Sequence, residues 1–156
     1  MHTHLLERTQ LIPADLATVW DFFSSPRNLD RITPPEVQFR ITSDWPDRLA
    51  EGQRLTYRVT PLLRLPVTLV TRITVVREHA YFEDIMERGP YRLWCHQHTF
   101  TQAGDCVRMD DRVRYALHLD PLSRPIHALL IRPKLHAIFD YRHAVVTDLF
   151  GPTAGR

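Results

Sequence analysis

Ile126-His127-Ala128-Leu129-Leu130-Ile131-Arg132-Pro133-Lys134-Leu135-His136-Ala137-Ile138-Phe139-Asp140-Tyr141-Arg142-His143-Ala144-Val145-Val146-Thr147-Asp148-Leu149 is the stretch whose reading decides the fold. Its apolar residues, from Ile126, Leu129 and Leu130 through Leu135, Ile138 and Phe139 to Val145, Val146 and Leu149, recur three and four apart, as one face of a helix requires. Pro133 interrupts the pattern, because a proline inside a helix removes one backbone bond and crowds the preceding turn. A short helix to about residue 131 and a longer one over 133–150 are therefore expected, with Gly151-Pro152 as the stop.

Everything before it is strand-like except one short stretch. Residues 4–12 have the composition of a strand, and Pro13-Ala14-Asp15 opens a helix in which Leu16, Val19, Trp20 and Phe23 share a face. Ser24-Ser25-Pro26 ends that helix, and 26–32 reads as a second short one. Alternating runs follow at Val37–Ile41, Leu55–Val59, Leu65–Val76, Tyr81–Met86, Tyr91–Phe100 and Val107–Leu119, separated by short turns such as Gly104-Asp105. Short connections join neighbours antiparallel, and Asp120-Pro121 closes the sheet. The expected class is α+β: a curved antiparallel sheet of about seven strands, two short helices after the first strand, and a long C-terminal helix, kinked or broken near Pro133, over the concave face. That helix is the only element long enough to cover the sheet, and one helix cannot fill its whole width. An apolar gap left between them is a ligand pocket.

The bulk properties narrow the class. The 156 residues suit a single domain over 4–150, with 151–156 as a tail. A net charge of +2, from 20 basic and 18 acidic residues, offers no electrostatic footprint for nucleic acid. No apolar run approaches the length of a membrane span, so no stable membrane insertion is expected. Residues 1–8 lack the basic and apolar segments of a signal peptide. Cys95 and Cys106 suggest no disulfide framework, and a soluble cytoplasmic protein is the expectation.

Val19-Trp20-Asp21-Phe22-Phe23-Ser24-Ser25-Pro26-Arg27-Asn28-Leu29, set in this order of elements, resembles the opening of the START-like, or SRPBCC, helix-grip superfamily. Gly89-Pro90-Tyr91-Arg92-Leu93-Trp94 with His96, His98 and Phe100 is similar to a bacterial subgroup of it, as are Asp111-x-Val113-x-Tyr115-x-Leu117 and Ile138-Phe139-x-Tyr141-Arg142. The resemblance covers residues 5 to 150 or so. Its members include START lipid-transfer domains, birch-pollen-allergen-like proteins, polyketide cyclases and coenzyme Q-binding proteins. It therefore implies a hydrophobic small-molecule ligand such as a lipid, isoprenoid quinone or polyketide, and leaves open a cyclase or dehydrase, because fold alone does not settle function.

Strand alternation then assigns the candidate site. Trp94, His96, His98 and Phe100 share one face, matched by Phe82, Asp84 and Met86 and by Met109, Asp111, Val113, Tyr115 and Leu117 on the flanking strands. Leu55, Tyr57 and Val59 face inward from one strand, and Leu69, Thr71, Ile73 and Val75 from the next; Ile138, Phe139 and Arg142 come from the helix. The expected ligand-binding set is Tyr57, Leu69, Thr71, Ile73, Phe82, Asp84, Met86, Trp94, His96, His98, Asp111, Val113, Tyr115, Ile138, Phe139 and Arg142.

Asp84, His96, His98, Asp111 and Tyr115 give the cup a polar side with three readings: a self-satisfied structural network, a grip on the polar end of a ligand, or acid–base chemistry by His96 or His98 with Asp84 or Asp111. Binding is favoured over catalysis, since no nucleophile motif accompanies the histidines. His96 and His98 could hold zinc with Asp111, but no third and fourth ligand stand at known spacing, so neither metal nor cofactor is expected. Arg142 is expected to pair with Asp84 or Asp111, or to meet a ligand carbonyl or carboxylate. Pro61–Pro66 and Leu129–Ile131 are candidate apolar segments at a cavity mouth or partner surface. A third possibility is an interaction module whose large inward side chains fill the cavity.

Overall fold

The structure, a computed structural model, describes residues 2–60, 65–118 and 124–153. Strand β1 (His4–Ile12) leads to helix α1 (Leu16–Phe23) and two 3₁₀ turns, Pro26–Asn28 and Pro35–Val37. Strands β2 (Arg40–Ile41), β3 (Arg54–Val59), β4 (Val67–Arg77), β5 (Tyr81–Arg88), β6 (Tyr91–Ala103) and β7 (Cys106–Leu117) follow. The chain ends in α2 (Arg124–Ile126), a π-helical turn (His127–Ile131) and α3 (Arg132–Phe150). All strand pairs are antiparallel, in the order β1-β7-β6-β5-β4-β3-β2. This is the expected α+β architecture.

Helix α1 starts where its cap dictates. The Asp15 carboxylate accepts from the Thr18 backbone N–H at 2.9 Å and from the Thr18 hydroxyl at 2.6 Å, which satisfies a donor at the helix start. Val19, Trp20 and Phe23 then point into a core with Ile12, Phe82, Phe100, Val107, Met109 and Val146. Asp15→Ala should cost about 1 kcal/mol and lower the thermal midpoint by about 2–4 °C for a chain of this size; differential scanning calorimetry reads both.

Pro133 marks a division of the C-terminal helix, at the junction of the π turn ending at Ile131 and α3 beginning at Arg132, close to where the expectation put it. It sits in the first turn of α3, and the irregularity lies just upstream, in the π turn. A proline cannot bond back to the fourth residue before it, and a wide π turn removes that conflict while the helical path continues. Arg8 and Gln10 of β1 hold α3 to the sheet edge: Arg8 Nη2 lies 2.6 Å from His136 Nδ1 and 3.2 Å from Asp140, and Gln10 donates to the His143 carbonyl at 3.0 Å. A second cluster, Leu6, Val113, Tyr115, Leu135 and Phe139, packs beneath the first half of α3. With the helix seated toward β1, the concave face toward β3–β5 is left uncovered, and the cavity lies there.

Two strand expectations need correction. Val37–Ile41 is not a full strand: Val37 closes a 3₁₀ turn and Gln38 is left-handed at φ 49°, so only Arg40–Ile41 pairs. Consecutive Pro34-Pro35 restrict the backbone ahead of the run and favour the turn. Val75 does not share the inner face with Ile73, because a bulge between them inserts one residue and inverts the alternation. Val75 pairs with Glu83, and Val76 pairs with inward-facing Phe82 and packs on the core.

Leu62 and Leu63 of the expected mouth loop, and Leu119-Asp120-Pro121 at the end of the sheet, lie outside the described residues, as does the tail beyond 153. Leu65, Leu129 and Leu130 are exposed. Cys95 and Cys106 are both free thiols. Among the described residues no helix is long and apolar enough to cross a membrane.

Candidate functional site

Between the sheet and α3 lies a cavity of about 400 Å³, within the range of small-molecule sites. Its walls are mostly aliphatic and aromatic: Leu55, Tyr57 and Val59 of β3, Leu69, Thr71 and Ile73 of β4, Phe82 and Met86 of β5, Trp94 of β6, and Leu135, Ile138 and Phe139 of α3. Phe22, Ile32, Val37 and Phe39 close one end. Large inward side chains do not fill the space: Phe100 packs into the α1 core, Tyr57 is held to Thr71 by a hydroxyl–hydroxyl bond, and Trp94 stacks obliquely on Tyr91. A cavity filled by such side chains was the premise of the interaction-module reading.

One wall is polar. His96 and His98, two apart on β6, project to the same side, with ring centroids 3.8 Å apart. Each faces a carboxylate on a neighbouring strand: His96 stands opposite Asp84 of β5, and His98 opposite Asp111 of β7. His96 Nε2 is 2.8 Å from Asp111 Oδ1. His98 Nδ1 lies 2.8 Å from the same oxygen, off the line of a hydrogen bond. Phe82 stacks on His98 at 4.3 Å and Phe139 meets His96 edge-on at 5.6 Å, which locks both rings.

Arg142 approaches from α3. Its Nη1 is 3.6 Å from Asp111 Oδ1, an ion pair too long for a hydrogen bond, and its guanidinium lies 4.9 Å over the Phe139 ring. Its Nε and Nη1 are buried without a hydrogen-bond partner.

The cluster's protonation follows from its geometry. Burial by itself would push Asp111 up, but the two histidines that face it outweigh burial and hold it well below 3.8. Burial lowers both histidines from 6.5, and they are neutral near pH 7; His98 adds to the effect on His96. An ionised carboxylate only accepts, so the proton shared with Asp111 in the His96 hydrogen bond lies on His96 Nε2. His96 therefore keeps its lone pair on Nδ1. Burial lifts Asp84 to about 6, against the opposing pull of His96 and Arg142.

Of the expected ligand-binding residues, Tyr57, Leu69, Thr71, Ile73, Phe82, Asp84, Met86, Trp94, His96, His98, Ile138, Phe139 and Arg142 line the cavity. Asp111, Val113 and Tyr115 do not. Asp111 lies behind the histidines and borders a small cleft with Arg8, Gln10 and His143. Val113 and Tyr115 are packed beneath α3, and the Tyr115 hydroxyl pairs with His127 Nε2 at 2.8 Å. The reason is lateral position: β7 lies on the β1 side of the sheet, where helix and sheet touch. Alternation fixes which face a residue takes but not where along the sheet the helix sits. Residues outside the expected set also line the cavity, among them Phe22, Ile32, Val37 and Phe39; Val37 and Phe39 carried a strand-like alternation, but a 3₁₀ turn and the residues after it bring them to the wall.

No family model matches the chain, and no curated protein does. Solved structures do. A START superfamily protein from Mycobacterium smegmatis superposes with a TM-score of 0.69 at 15% identity, covering 94% of this chain and 99% of that one. Ginseng major latex-like protein 151 from Panax ginseng gives 0.68 at 12% identity, over 96% and 99% of the two chains. A point mutant of norcoclaurine synthase from Thalictrum flavum, in complex with a transition-state analogue, gives 0.65 at 15% identity, over 95% and 96%. With matching element order and sheet topology over nearly the whole chain, this protein has the START-like helix-grip fold.

Proposed function

We propose that this chain binds one hydrophobic small molecule between sheet and α3, with its polar end against Asp84, His96, His98 and Arg142. The observation that carries this reading is the 400 Å³ cavity, apolar on most sides and polar on one. Apolar walls supply affinity and a few placed polar groups supply orientation. The Arg142 guanidinium on the cavity wall suits a carbonyl or carboxylate oxygen, and the candidates are a lipid, an isoprenoid quinone or a polyketide. With a net charge of +2 and, among the described residues, no helix long and apolar enough to cross a membrane, neither nucleic acid nor membrane insertion forms part of the reading. We place the protein in the cytoplasm.

The test is uptake of a fluorescent amphiphile such as anilinonaphthalene sulfonate, displaced by a panel of lipids and quinones. Saturable binding of one probe per chain is expected. Ile138→Trp, which projects a larger ring into the cavity from α3, should weaken uptake at least tenfold, with an unchanged circular dichroism spectrum. No saturable uptake, or uptake indifferent to Ile138→Trp, contradicts the reading.

A second reading has its own support. Asp84, titrating at about 6 beside a neutral imidazole, is a carboxyl group suited to proton transfer near neutral pH. A cyclase or dehydrase would use it with His96 or His98. Extraction of the ligand after incubation separates the two: an unchanged molecule supports binding, and a converted one supports chemistry.

A further inference from the structure

We propose that Asp84, His96 and His98 form a binding site for a divalent first-row transition metal ion, with Asp111 as the group that orients both imidazoles. Each of the three offers one ligand atom, and these atoms lie within 4.8 Å of one another. Ligands about 2.1 Å from a tetrahedral ion stand about 3.4 Å apart. Side-chain adjustments of about 1 Å therefore close the cluster around an ion. Two imidazoles and one carboxylate leave further coordination positions, as catalytic and substrate-binding metal sites do. All three residues line the cavity, so a ligand's oxygen can reach those positions.

The arrangement around the cluster is the second argument. Metal-ligating histidines turn their other nitrogen to a carboxylate or carbonyl, which fixes the tautomer and the ring. Here one buried carboxylate, Asp111, stands 2.8 Å from both rings, hydrogen-bonded to Nε2 of His96 and beside Nδ1 of His98. No described residue hydrogen-bonds to the remaining ring nitrogens or to the Asp84 carboxylate. The cavity wall thus presents two imidazoles and a carboxylate side by side, a set that a cation completes. Arg142 lies on the same wall, and its guanidinium can donate to an anionic oxygen at an open position.

Spacing along the chain pointed to Asp111 as the third ligand and found no site. The strand order instead puts Asp111 and Asp84 on opposite flanks of the histidine strand, and Asp84 on the cavity wall. This inference does not rest on the nature of the organic ligand.

The experiment is calorimetric titration of chelator-stripped full-length protein with Zn²⁺, and visible spectroscopy with Co²⁺. One saturable equivalent is expected, with ligand-field bands of a histidine-bound Co²⁺. Asp84→Asn and His98→Gln should each weaken it at least tenfold. Asp111→Asn should weaken it about tenfold to a hundredfold. His4→Ala, which alters the stack of His4 on His127 near the N-terminus, should leave it unchanged. In the unmodified chain, Co²⁺ should broaden the ring resonances of His96 and His98 first, a readout that needs no variant to fold. Absence of a saturable first equivalent overturns the proposal. So does an equivalent that survives Asp84→Asn and vanishes in His4→Ala, or broadening confined to other histidines. Probe uptake is measured without metal, so either result can fail while the other stands.

Discussion

Asp111→Ala should lower the stability of the metal-free protein by about 3–5 kcal/mol, the range for removing one partner of a buried charge network. Asp111 is 6% exposed, and its carboxylate faces two buried imidazoles and the Arg142 guanidinium. Truncation removes the hydrogen-bond partner of His96 Nε2 and leaves the buried Arg142 guanidinium without its anion. The thermal midpoint should fall by about 10 °C, and urea melts should give the free energy. Asp111→Asn, which keeps the shape and one acceptor, should recover part of the loss. The acid limb carries the same signature. The folded protein holds Asp111 ionised below its unfolded value of 3.8, so its contribution is present above that pH and is lost as the pH falls through the folded value. The histidines act in the same direction over a higher window: the unfolded chain takes up protons at 6.5 that the folded one refuses, so stability falls as the pH drops below about 6.5. A loss under 1 kcal/mol in Asp111→Ala would show that the network does not hold this wall together.

Asp84→Asn should do the opposite. In the folded chain Asp84 titrates at about 6 and in the unfolded one at 3.8. The difference amounts to up to about 3 kcal/mol against the ionised form. Between those values the folded protein keeps a proton that the unfolded chain releases, so stability falls as the pH rises from about 4 to 6. Above that range the full penalty is present. The amide carries no charge to desolvate, so the variant should be more stable at pH 7.5 by up to about 3 kcal/mol, and equal to the parent below pH 4. Chelator is kept in both samples. An unchanged or lower midpoint at pH 7.5 would mean that Asp84 already has a favourable partner in the folded protein. Two carboxylates on either side of one histidine strand are thus expected to have opposite effects, Asp111 stabilising the fold and ionised Asp84 weakening it.

How much of this was legible follows from what each signal encodes. Alternation in Tyr91–Phe100 placed His96 and His98 on one face with Trp94, and the helical spacing of Ile138, Phe139 and Arg142 turned them to the same cavity. Those are local periods, and local backbone geometry enforces them. The lateral seat of α3 is not local. It depends on the Arg8 and Gln10 contacts to His136, Asp140 and His143, more than a hundred residues away along the chain. That seat buries Tyr115 and Val113 under the helix and leaves Tyr57 and Leu69 at the open side. Period also fails at Val75, where a bulge inverts the face, and at Val37, where two prolines turn a strand-like run into a 3₁₀ turn. The division of labour between Asp84 and Asp111 is tertiary as well, since both share the inward face and only strand order separates them.

The central claim, a single hydrophobic molecule held between sheet and α3, is tested most directly by native mass spectrometry of protein purified from its own host. The expected spectrum shows the chain with one added small molecule that is lost on denaturation, absent from Ile138→Trp, and identifiable as an amphiphile after extraction. Repeated recovery of the bare chain, with no thermal stabilisation by any member of a lipid and quinone panel, would contradict it.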